Sequence, residues 1–335
     1  MSQRKLTRRQ SWRVQKIQQE RLSRAQSKVQ SMEHTLEGQS LGPEQTGRIV
    51  THYGANLDVE DVSGNVHHCL TRANLPRLVC GDRVIWQATG ANLGIITSLV
   101  PRTNLLARPD HNKQLKPVAA NIDQMLIVAA PTPALGEDLI NRYLVAAELT
   151  SIQPLLVINK TDLLDAEQKH TLEQQLAVYV QIGYSIIYTS TRRKNGLSDL
   201  TRYLADKTSI FVGQSGVGKS SLIKTFIPDA DIRVGELSNA TGLGKHTTTV
   251  TVLYHLPGGG SIIDSPGVRE FGLGHVSRAQ VTEGFVEFKP FIGQCKFKDC
   301  KHLREPDCAI KNAVAAQQIT QQRFDSYQRI VKNLF

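Results

Sequence analysis

The sequence feature that most constrains the fold is a glycine-rich run at residues 213–220, GQSGVGKS, which matches the pattern GxxxxGK followed by Ser or Thr. A short apolar stretch at residues 209–212 precedes it as a predicted strand, and a segment with helical character follows. Glycines in such a loop let backbone N–H groups turn inward around a phosphate, and the helix N-terminus adds a favourable dipole. The run therefore predicts an α/β sheet with a phosphate-binding site at the end of one strand.

The same run supplies most of the candidate nucleotide ligands. We expect Lys219 to reach the β- and γ-phosphates and the Ser220 hydroxyl to ligate Mg²⁺. The other candidates in the run and next to it are Gly213, Gln214, Ser215, Gly216, Val217, Gly218 and Ser221.

A second motif predicts which base the nucleotide carries. The motif NKTD directly follows a predicted apolar strand and consists of Asn159, Lys160, Thr161 and Asp162. The Asp162 carboxylate can accept hydrogen bonds from N1–H and the exocyclic amine of guanine, a donor pair that adenine lacks. Asn159 would brace the loop, while the stem of Lys160 packs over the base. The two motifs together favour GTP over ATP, and residues 189–191 are where a second base-binding loop is expected.

Two segments after the phosphate loop carry the remaining candidates. In DSPG, Asp264 would hold Mg²⁺ through water and the Gly267 N–H would contact the γ-phosphate. In GKHTTT, Thr248 would complete the coordination shell of Mg²⁺, and His246 would orient the attacking water. Equally, His246 could be an exposed loop residue with no catalytic role. Val268 stands where many GTPases place a water-orienting glutamine, so we expect slow intrinsic turnover.

The order of these motifs constrains the topology further. An ordinary GTPase runs phosphate loop, switch threonine, DxxG, NKxD and base loop, whereas here NKTD and the base loop come first. The same sheet can form from a chain that is opened between DxxG and NKxD, provided that its two original ends are joined to each other. The sequence therefore predicts a circularly permuted domain, in which the segment after Gly267 leads straight into the C-terminal region and could move it with the nucleotide state.

A small β unit precedes this domain. Residues 45–103 contain five short β-rich stretches separated by turn signals such as Ser63-Gly64-Asn65. This spacing fits a Greek-key barrel of the OB type, with an SH3-like barrel or a spacer as alternatives.

A metal-ligand pattern lies near the C-terminus. Cys295, Cys300, His302 and Cys308 form C-x4-C-x-H-x5-C in a lysine-rich loop. Three thiolates and an imidazole at this spacing favour one tetrahedral, structural Zn²⁺ with no open position for catalysis. The other two cysteines, Cys69 and Cys80, are expected to be ordinary barrel side chains rather than metal ligands.

The formal charge of +10 is concentrated at the two ends of the chain. Residues 1–40 carry 9 basic and 3 acidic groups, residues 289–335 carry 9 and 4, and the stretch between them carries 22 and 23. Clustered cations indicate a polyanionic partner, either nucleic acid or an anionic membrane. The basic arm at residues 1–40 is expected to be a flexible tail, with ordering on RNA as the alternative.

Composition excludes several classes of protein. No apolar run approaches the roughly 20 residues that span a bilayer. Five cysteines in 335 residues do not form a secreted disulfide scaffold. We therefore expect a cytoplasmic protein.

The motifs together resemble one family, the circularly permuted small ribosomal subunit biogenesis GTPases of bacteria (ribosome small subunit-dependent GTPase A). The resemblance rests on NKTD before GQSGVGKSS, then GKHTTT, DSPGV and the cysteine–histidine cluster, over residues 45–335. It implies an OB barrel, a permuted α/β GTPase domain and a C-terminal α-helical zinc-binding domain. It also implies binding to the small subunit late in its maturation, GTP hydrolysis stimulated by that subunit, release of another assembly factor and proofreading of the decoding region.

These considerations divide the chain into four parts: a basic, flexible arm (1–44), an OB-fold barrel (45–103), a permuted GTPase domain (104–273) and a helical zinc-binding domain (274–335). The expected protein is a monomer that binds GTP or GDP, rRNA and the small ribosomal subunit, without membrane attachment. One alternative is an RNA-binding scaffold that holds GTP as a structural or regulatory ligand with little turnover. Another is a GTPase recruited to an anionic membrane by its basic ends.

Overall fold

The computed structural model describes residues 41–53, 56–72, 74–109, 114–228, 250–265, 273 and 276–335. The predictions made for most of the basic arm and for His246, Thr248, Gly267 and Val268 lie outside these described residues.

The N-terminal unit is a closed five-stranded barrel, as predicted. Its strands are β1 (Glu44–Tyr53), β2 (Asn56–Asp61), β3 (Val66–Thr71), β4 (Arg83–Gly90) and β5 (Leu93–Leu99). They pair in the order β1–β2–β3–β5–β4, and β4 returns to β1 to close the barrel. Alternating side chains point inward, so that Ile49, Val59, Trp86 and Ile96 are buried in a core of their own. The pairing order is that of an OB fold.

A two-stranded antiparallel ribbon follows, formed by β6 (Leu105–Pro109) and β7 (Leu115–Ala120). No sequence pattern predicted this ribbon. Pro117 lies inside β7 opposite Ala107, where the register shifts. Because proline weakens a strand pattern, alternation alone did not reveal the ribbon.

The central domain is a six-stranded sheet with helices on both faces. Its strands are β8 (Gln124–Ala129), β9 (Gln153–Ile158), β10 (Ile186–Tyr188), β11 (Thr208–Val212), β12 (Thr251–His255) and β13 (Ser261–Asp264). The order is β10–β9–β8–β11–β13–β12, and only β12 runs antiparallel to its neighbour. The helices are α1 (Glu137–Thr150), α2 (Ala166–Ile182), α3 (Ser198–Leu204) and α4 (Lys219–Phe226).

Local sequence explains these elements. All six residues of β8 are buried, as expected for a strand covered by helices on both faces. Helix α2 begins with a reciprocal capping box between Asp165 and Gln168 and ends at Gly183, whose φ of 104° is left-handed. Apolar runs predict strands at residues 124–130, 154–158, 185–189 and 209–212, and the stretches between them predict helices at 138–150, 165–182 and 197–205. The structure confirms each of these elements to within one residue at either end.

The barrel and the central sheet are continuous. Strand β1 pairs antiparallel with β12 through Thr51 with Val252 and His52 with Thr251, which gives one eleven-stranded sheet. His255 Nε2 lies 2.8 Å from a carboxylate oxygen of Glu60 across the same junction. The junction therefore joins the barrel to β12, the first strand after residues 229–249.

The C-terminal region is helical. It contains α5 (Arg278–Glu283), a 3-10 helix (Val286–Phe291), α6 (Ala309–Ala315) and α7 (Gln321–Leu334). The sequence predicts an apolar stripe at three-to-four spacing in the last helix, formed by Phe324, Tyr327, Val331 and Leu334. The first three of these side chains are buried in the core that includes α1. Among the described residues, no helix is long and apolar enough to cross a membrane.

Candidate functional site

The predicted nucleotide ligands that the structure describes lie at one edge of the central sheet. Strands β9, β10, β11 and β13 run parallel in this sheet, and Asn159, Thr189, Gly213 and Asp264 lie at or directly after their carboxyl ends. The carboxyl edge of a parallel sheet is the usual place for a ligand site. Circular permutation therefore separates the motifs along the chain but leaves them together in space.

The phosphate loop is shaped by its glycines and its lysine. Gly213 has a φ of 134°, and a Cβ atom on it would lie 2.2 Å from the carbonyl oxygen of Val128. Lys219 Nζ donates to the carbonyl oxygens of Gly213 at 2.6 Å and Gln214 at 2.7 Å. The ammonium group is thus held inside the loop, where it can meet phosphate oxygens.

Asn159 ties three segments of the site together. Its Nδ2 donates to the Val217 carbonyl of the phosphate loop at 3.0 Å, and its Oδ1 accepts from the Thr189 hydroxyl at 3.2 Å. Its backbone N–H donates to the Ala129 carbonyl at the end of β8, at 2.8 Å. Asn159 is 2% exposed, so these bonds satisfy a buried amide and fix the base loop relative to the phosphate loop.

Lys160 lies over the phosphate loop. Its φ of 59° is left-handed, and its Nζ donates to the carbonyl oxygens of Gly216 at 2.6 Å and Thr132 at 3.0 Å. The side chain therefore crosses from NKTD to the phosphate loop, with its methylene stem along the path where a base would stack.

Asp162 is held by the neighbouring loop. The Ser190 hydroxyl donates to its Oδ1 at 2.5 Å and, as the main cause, lowers the pKa of the Asp162 carboxyl below its usual range. The Thr161 hydroxyl donates to the Thr189 carbonyl at 3.0 Å, and Arg193 Nη2 donates to the Thr161 carbonyl at 2.9 Å. The carboxylate is thus kept ionised and oriented as a hydrogen-bond acceptor, the state that guanine recognition requires.

The sequence predicted a base-binding loop at residues 189–191 but no role for its individual side chains. Ser190 is 1% exposed and reaches Asp162, and Thr189 reaches Asn159. The available signal was two hydroxyl residues directly after a short apolar strand, at the same sheet edge as NKTD. The Pro133 segment beside Gly216 carried no comparable signal.

The described candidates for Mg²⁺ lie at the same edge. Ser220 is the second residue of α4, directly after the phosphate loop, and Ser221 follows it. Asp264 ends β13, which is the parallel neighbour of β11. Hydroxyl and carboxylate oxygens are ligands suited to Mg²⁺, so these residues fit the ion chemically.

The four predicted metal ligands form a compact cluster. One ligand atom each of Cys295, Cys300, His302 and Cys308 lies within 4.8 Å of the others. The Cys295 and Cys308 sulfurs are 3.9 Å apart, and His302 Nδ1 lies 3.5 Å and 3.4 Å from these two sulfurs. Two sulfurs at ~2.3 Å from one zinc ion in a tetrahedron would be about 3.8 Å apart. The donor set and its spacing therefore fit Zn²⁺.

Protonation in this cluster follows burial. Burial raises the pKa of the Cys300 thiol to about 12 and also raises the pKa of Cys308. Burial lowers the pKa of His302, which favours the neutral imidazole that binds metals. A bound cation would stabilise the thiolates that burial alone disfavours.

Glu305 supports the loop that carries His302. Its carboxylate accepts backbone N–H groups of Lys301 at 3.1 Å, Leu303 at 2.9 Å and Arg304 at 3.0 Å. Partial burial opposes ionisation, but these backbone bonds prevail and lower the pKa of Glu305 to about 2. The three bonds bracket His302, whose φ of 58° is left-handed, and so they hold a strained ligand residue in place.

Comparison with known proteins agrees with this geometry. The model of the RsgA GTPase family matches residues 99–274. A small ribosomal subunit biogenesis GTPase RsgA of Pseudomonas fluorescens strain SBW25 is 51% identical over the whole chain and 98% of its own length. The Pseudomonas aeruginosa PAO1 protein of the same name is 50% identical with the same coverage.

Two solved structures have the same architecture. YjeQ from Thermotoga maritima has a TM-score of 0.72 and 30% identity, covering 87% of this chain and 99% of its own. YloQ, described as a circularly permuted GTPase, has a TM-score of 0.70 and 30% identity, covering 87% of this chain and 95% of its own. With a family match over more than half of its length and relatives that align with all of it, this chain belongs to the RsgA GTPase family.

Proposed function

We propose that this protein binds GTP at the carboxyl edge of its central sheet, hydrolyses it, and acts in biogenesis of the small ribosomal subunit. The observation that carries the proposal is the joint placement of the two motifs by Asn159, which hydrogen-bonds to the phosphate loop and to the base loop at once. The name shared by its full-length relatives supports the cellular role.

The proposed ligand set for GTP is as follows. Asp162 accepts the two guanine donors, Lys160 covers the base and Lys219 contacts the β- and γ-phosphates. Mg²⁺ would neutralise part of the phosphate charge, held by Ser220 and, through water, by Asp264. The remaining proposed contacts are Asn159, Thr161, Gly213, Gln214, Ser215, Gly216, Val217, Gly218, Ser221 and Gly267.

We assign the catalytic roles by sequence pattern. Thr248 is proposed to complete the Mg²⁺ shell and His246 to orient the attacking water. Val268 cannot make a hydrogen bond to that water through its side chain, so intrinsic turnover is expected to be slow and to rise on the small subunit.

The proposed division of labour follows the four parts of the chain. The arm (1–44) tethers the protein to RNA, the barrel (45–103) and the zinc-binding domain (274–335) bind rRNA, and the domain between them (104–273) hydrolyses GTP. Zn²⁺ on Cys295, Cys300, His302 and Cys308 would stabilise the loop between the 3-10 helix and α6. We further propose that the protein works as a cytoplasmic monomer and that hydrolysis promotes release of other assembly factors.

The test is phosphate release from GTP by the purified full-length protein, measured with and without isolated small subunits. We expect a low basal rate, a rise of at least about tenfold with small subunits, and no rise with large subunits. ATP should not be hydrolysed, because its base lacks the donor pair that Asp162 accepts. Lys219→Ala should abolish turnover while leaving the barrel folded.

The same experiment separates the rival function. An RNA-binding scaffold with GTP as a structural ligand would bind small subunits and GTP without any stimulation of phosphate release. That outcome would overturn the proposed enzymatic role. Sedimentation with small subunits in GTP, but not in GDP, would support the role of the nucleotide in binding.

A further inference from the structure

We propose that Phe297, in the loop that carries the zinc ligands, is a stacking site for one unpaired base of single-stranded RNA. The inference rests on the proposed function in taking RNA as the partner, and it adds a specific contact to that function. It starts from exposure: the Phe297 side chain is 42% exposed, whereas Phe285, Phe288 and Tyr327 of the same domain are fully buried.

Backbone hydrogen bonds hold the segment that carries the Phe297 ring. The Phe297 carbonyl accepts from the Cys300 N–H at 3.2 Å, and the preceding residue, Lys296, donates its backbone N–H to the Asp307 carbonyl at 3.3 Å. Cys295 and Cys300, two members of the metal cluster, bracket the segment. A platform ordered in advance loses little conformational entropy on binding, which favours it as a recognition site.

Basic residues flank this ring in the sequence, and one of them, Lys296, also lies near it in space. Lys296 Nζ lies 5.9 Å from the centroid of the Phe297 ring and forms an ion pair with Asp307 at 3.0 Å. Lys298, Lys301 and Arg304 are exposed and form no ion pair with any residue that the structure describes. These three cations are therefore available to phosphates.

The acidic groups of the loop do not cancel this charge. Asp307 is paired with Lys296, and the Glu305 carboxylate receives three backbone N–H groups. Residues 295–308 carry four basic and three acidic side chains, which leaves a formal net charge of +1. The loop thus presents a net positive surface around one exposed aromatic ring.

This combination matches single-stranded RNA more closely than other polyanions. Proteins bind single strands with cations that follow the phosphates and aromatic rings on which bases stack. An acidic peptide would use the cations but would not need the ring, and an anionic membrane would favour a wider apolar surface than a single ring. Paired RNA would hide its base faces inside the helix.

The test uses the full-length protein and a fluorescein-labelled 12-nucleotide single-stranded RNA of mixed sequence, with affinity measured by anisotropy. Phe297→Leu should weaken binding by about 5- to 100-fold, the range found when stacking on one base is lost. Phe297→Trp should retain binding, and its fluorescence should be quenched by RNA. Zinc content and the thermal transition of each variant show whether the domain stays folded.

Two controls make the result specific. Phe335→Leu removes another exposed aromatic ring of the same domain, 57% exposed and beside Arg278, and should leave RNA affinity unchanged. Lys298→Gln should reduce the slope of log affinity against log salt by about 1, whereas Phe297→Leu should leave the slope unchanged. In a series of RNAs that each lack one base, at least one missing base should weaken binding to the wild type. The same missing base should not weaken binding to Phe297→Leu any further, because the stacking contact is already lost.

The outcomes distinguish this inference from the function on which it rests. Unchanged RNA affinity in a folded Phe297→Leu protein would overturn the stacking site, and an equal loss in Phe335→Leu would do the same. An equal loss of binding to polyglutamate or to phosphatidylserine vesicles would also overturn it, because those ligands carry no base. In each of these cases, stimulation of GTP hydrolysis by small subunits would still support the proposed function.

Discussion

Arg329, in the last helix of the chain, forms a two-pronged ion pair with Asp138, in the first turn of α1. Arg329 Nε lies 2.9 Å from Asp138 Oδ2, and Nη2 lies 2.8 Å from Oδ1. The Ser326 hydroxyl donates to the same carboxylate at 2.7 Å. Helix α1 begins a few residues after Pro133, which lies beside Gly216 of the phosphate loop. The pair therefore links the C-terminal helical region to the sheet edge that carries the phosphate loop, through contacts outside residues 266–272.

The first prediction concerns the stability that this ion pair provides. Asp138→Asn should lower the free energy of unfolding by about 1 kcal/mol at pH 7, a modest value because both partners are partly exposed. Partial burial favours the protonated acid, but Arg329 and Ser326 outweigh it and lower the pKa of the Asp138 carboxyl. The measurement is urea unfolding of the wild type and the variant between pH 7 and pH 3.

The sign of the pH dependence follows from the lowered pKa. The contribution of Asp138 is complete above its unfolded pKa, about 3.9, and is lost as the pH falls through the lower folded value. The difference between wild type and Asp138→Asn should therefore shrink below about pH 4. Arg202→Gln is the matched control, since it breaks an ion pair with Asp199 in which both side chains are largely exposed, and little change is expected. A constant difference at every pH would contradict the ion-pair explanation.

The second prediction tests how Asp162 is positioned. Ser190→Ala removes the hydroxyl that donates to Asp162 and should weaken GDP binding by about tenfold, the usual loss for a hydrogen bond to a charged group. Isothermal titration with GDP measures the change, and the far-ultraviolet spectrum should stay the same. Ser198→Ala is the control, because Ser198 lies exposed at the start of α3. Equal GDP affinity in Ser190→Ala and wild type would show that Asp162 does not need this donor.

The third prediction separates crowding from backbone strain at a glycine. Gly218 has a φ of 97°, and a Cβ atom on it would lie 2.4 Å from Asn159 Nδ2. Gly218→Ala must therefore displace Asn159 and should reduce GDP affinity by at least about tenfold, one lost hydrogen bond between the two loops being sufficient. Gly183, with a φ of 104° and open space around its Cβ position, is the matched control.

Gly183→Ala places an alanine at the same kind of left-handed φ and should lower the free energy of unfolding by about 1 kcal/mol. It makes no contact with the nucleotide site. It should lower the thermal transition and leave GDP affinity unchanged. If both variants bound GDP equally well, the contact between Gly218 and Asn159 would have no part in nucleotide binding.

Sequence predicted the parts of the fold that are encoded by neighbours along the chain. Three sites are encoded by short local patterns of characteristic residue types: the phosphate loop, NKTD and the metal cluster. The periodicity of apolar residues predicted the strands and helices that carry them. The contact of Asn159 with Val217 joins positions 58 residues apart, and it could be expected only because both motifs end parallel strands.

The domain contacts could not be predicted in the same way. Arg323 of α7 is 1% exposed, paired with Glu287 at 2.6 Å and 4.4 Å from the centre of the Phe285 ring, and it also donates to Asn141. A hydrophobic pattern places an arginine on the solvent side of a helix, so its burial depends on partners that the pattern does not contain. The pairing of β1 with β12 is likewise set by tertiary contact, because an edge strand does not specify its partner.

The last prediction concerns the metal cluster. Cys300→Ala should reduce bound zinc from one ion per chain to none, measured by atomic absorption after dialysis, because three ligands at a site built for four hold the ion far more weakly. The Tyr327 hydroxyl donates to the Lys301 carbonyl at 3.2 Å, so loss of the loop should also loosen α7 and increase proteolysis of the C-terminal region. GDP binding at the sheet edge should persist. Cys69→Ala, in the barrel core, is the control and should keep full zinc. A complete zinc complement in Cys300→Ala would refute the ligand set.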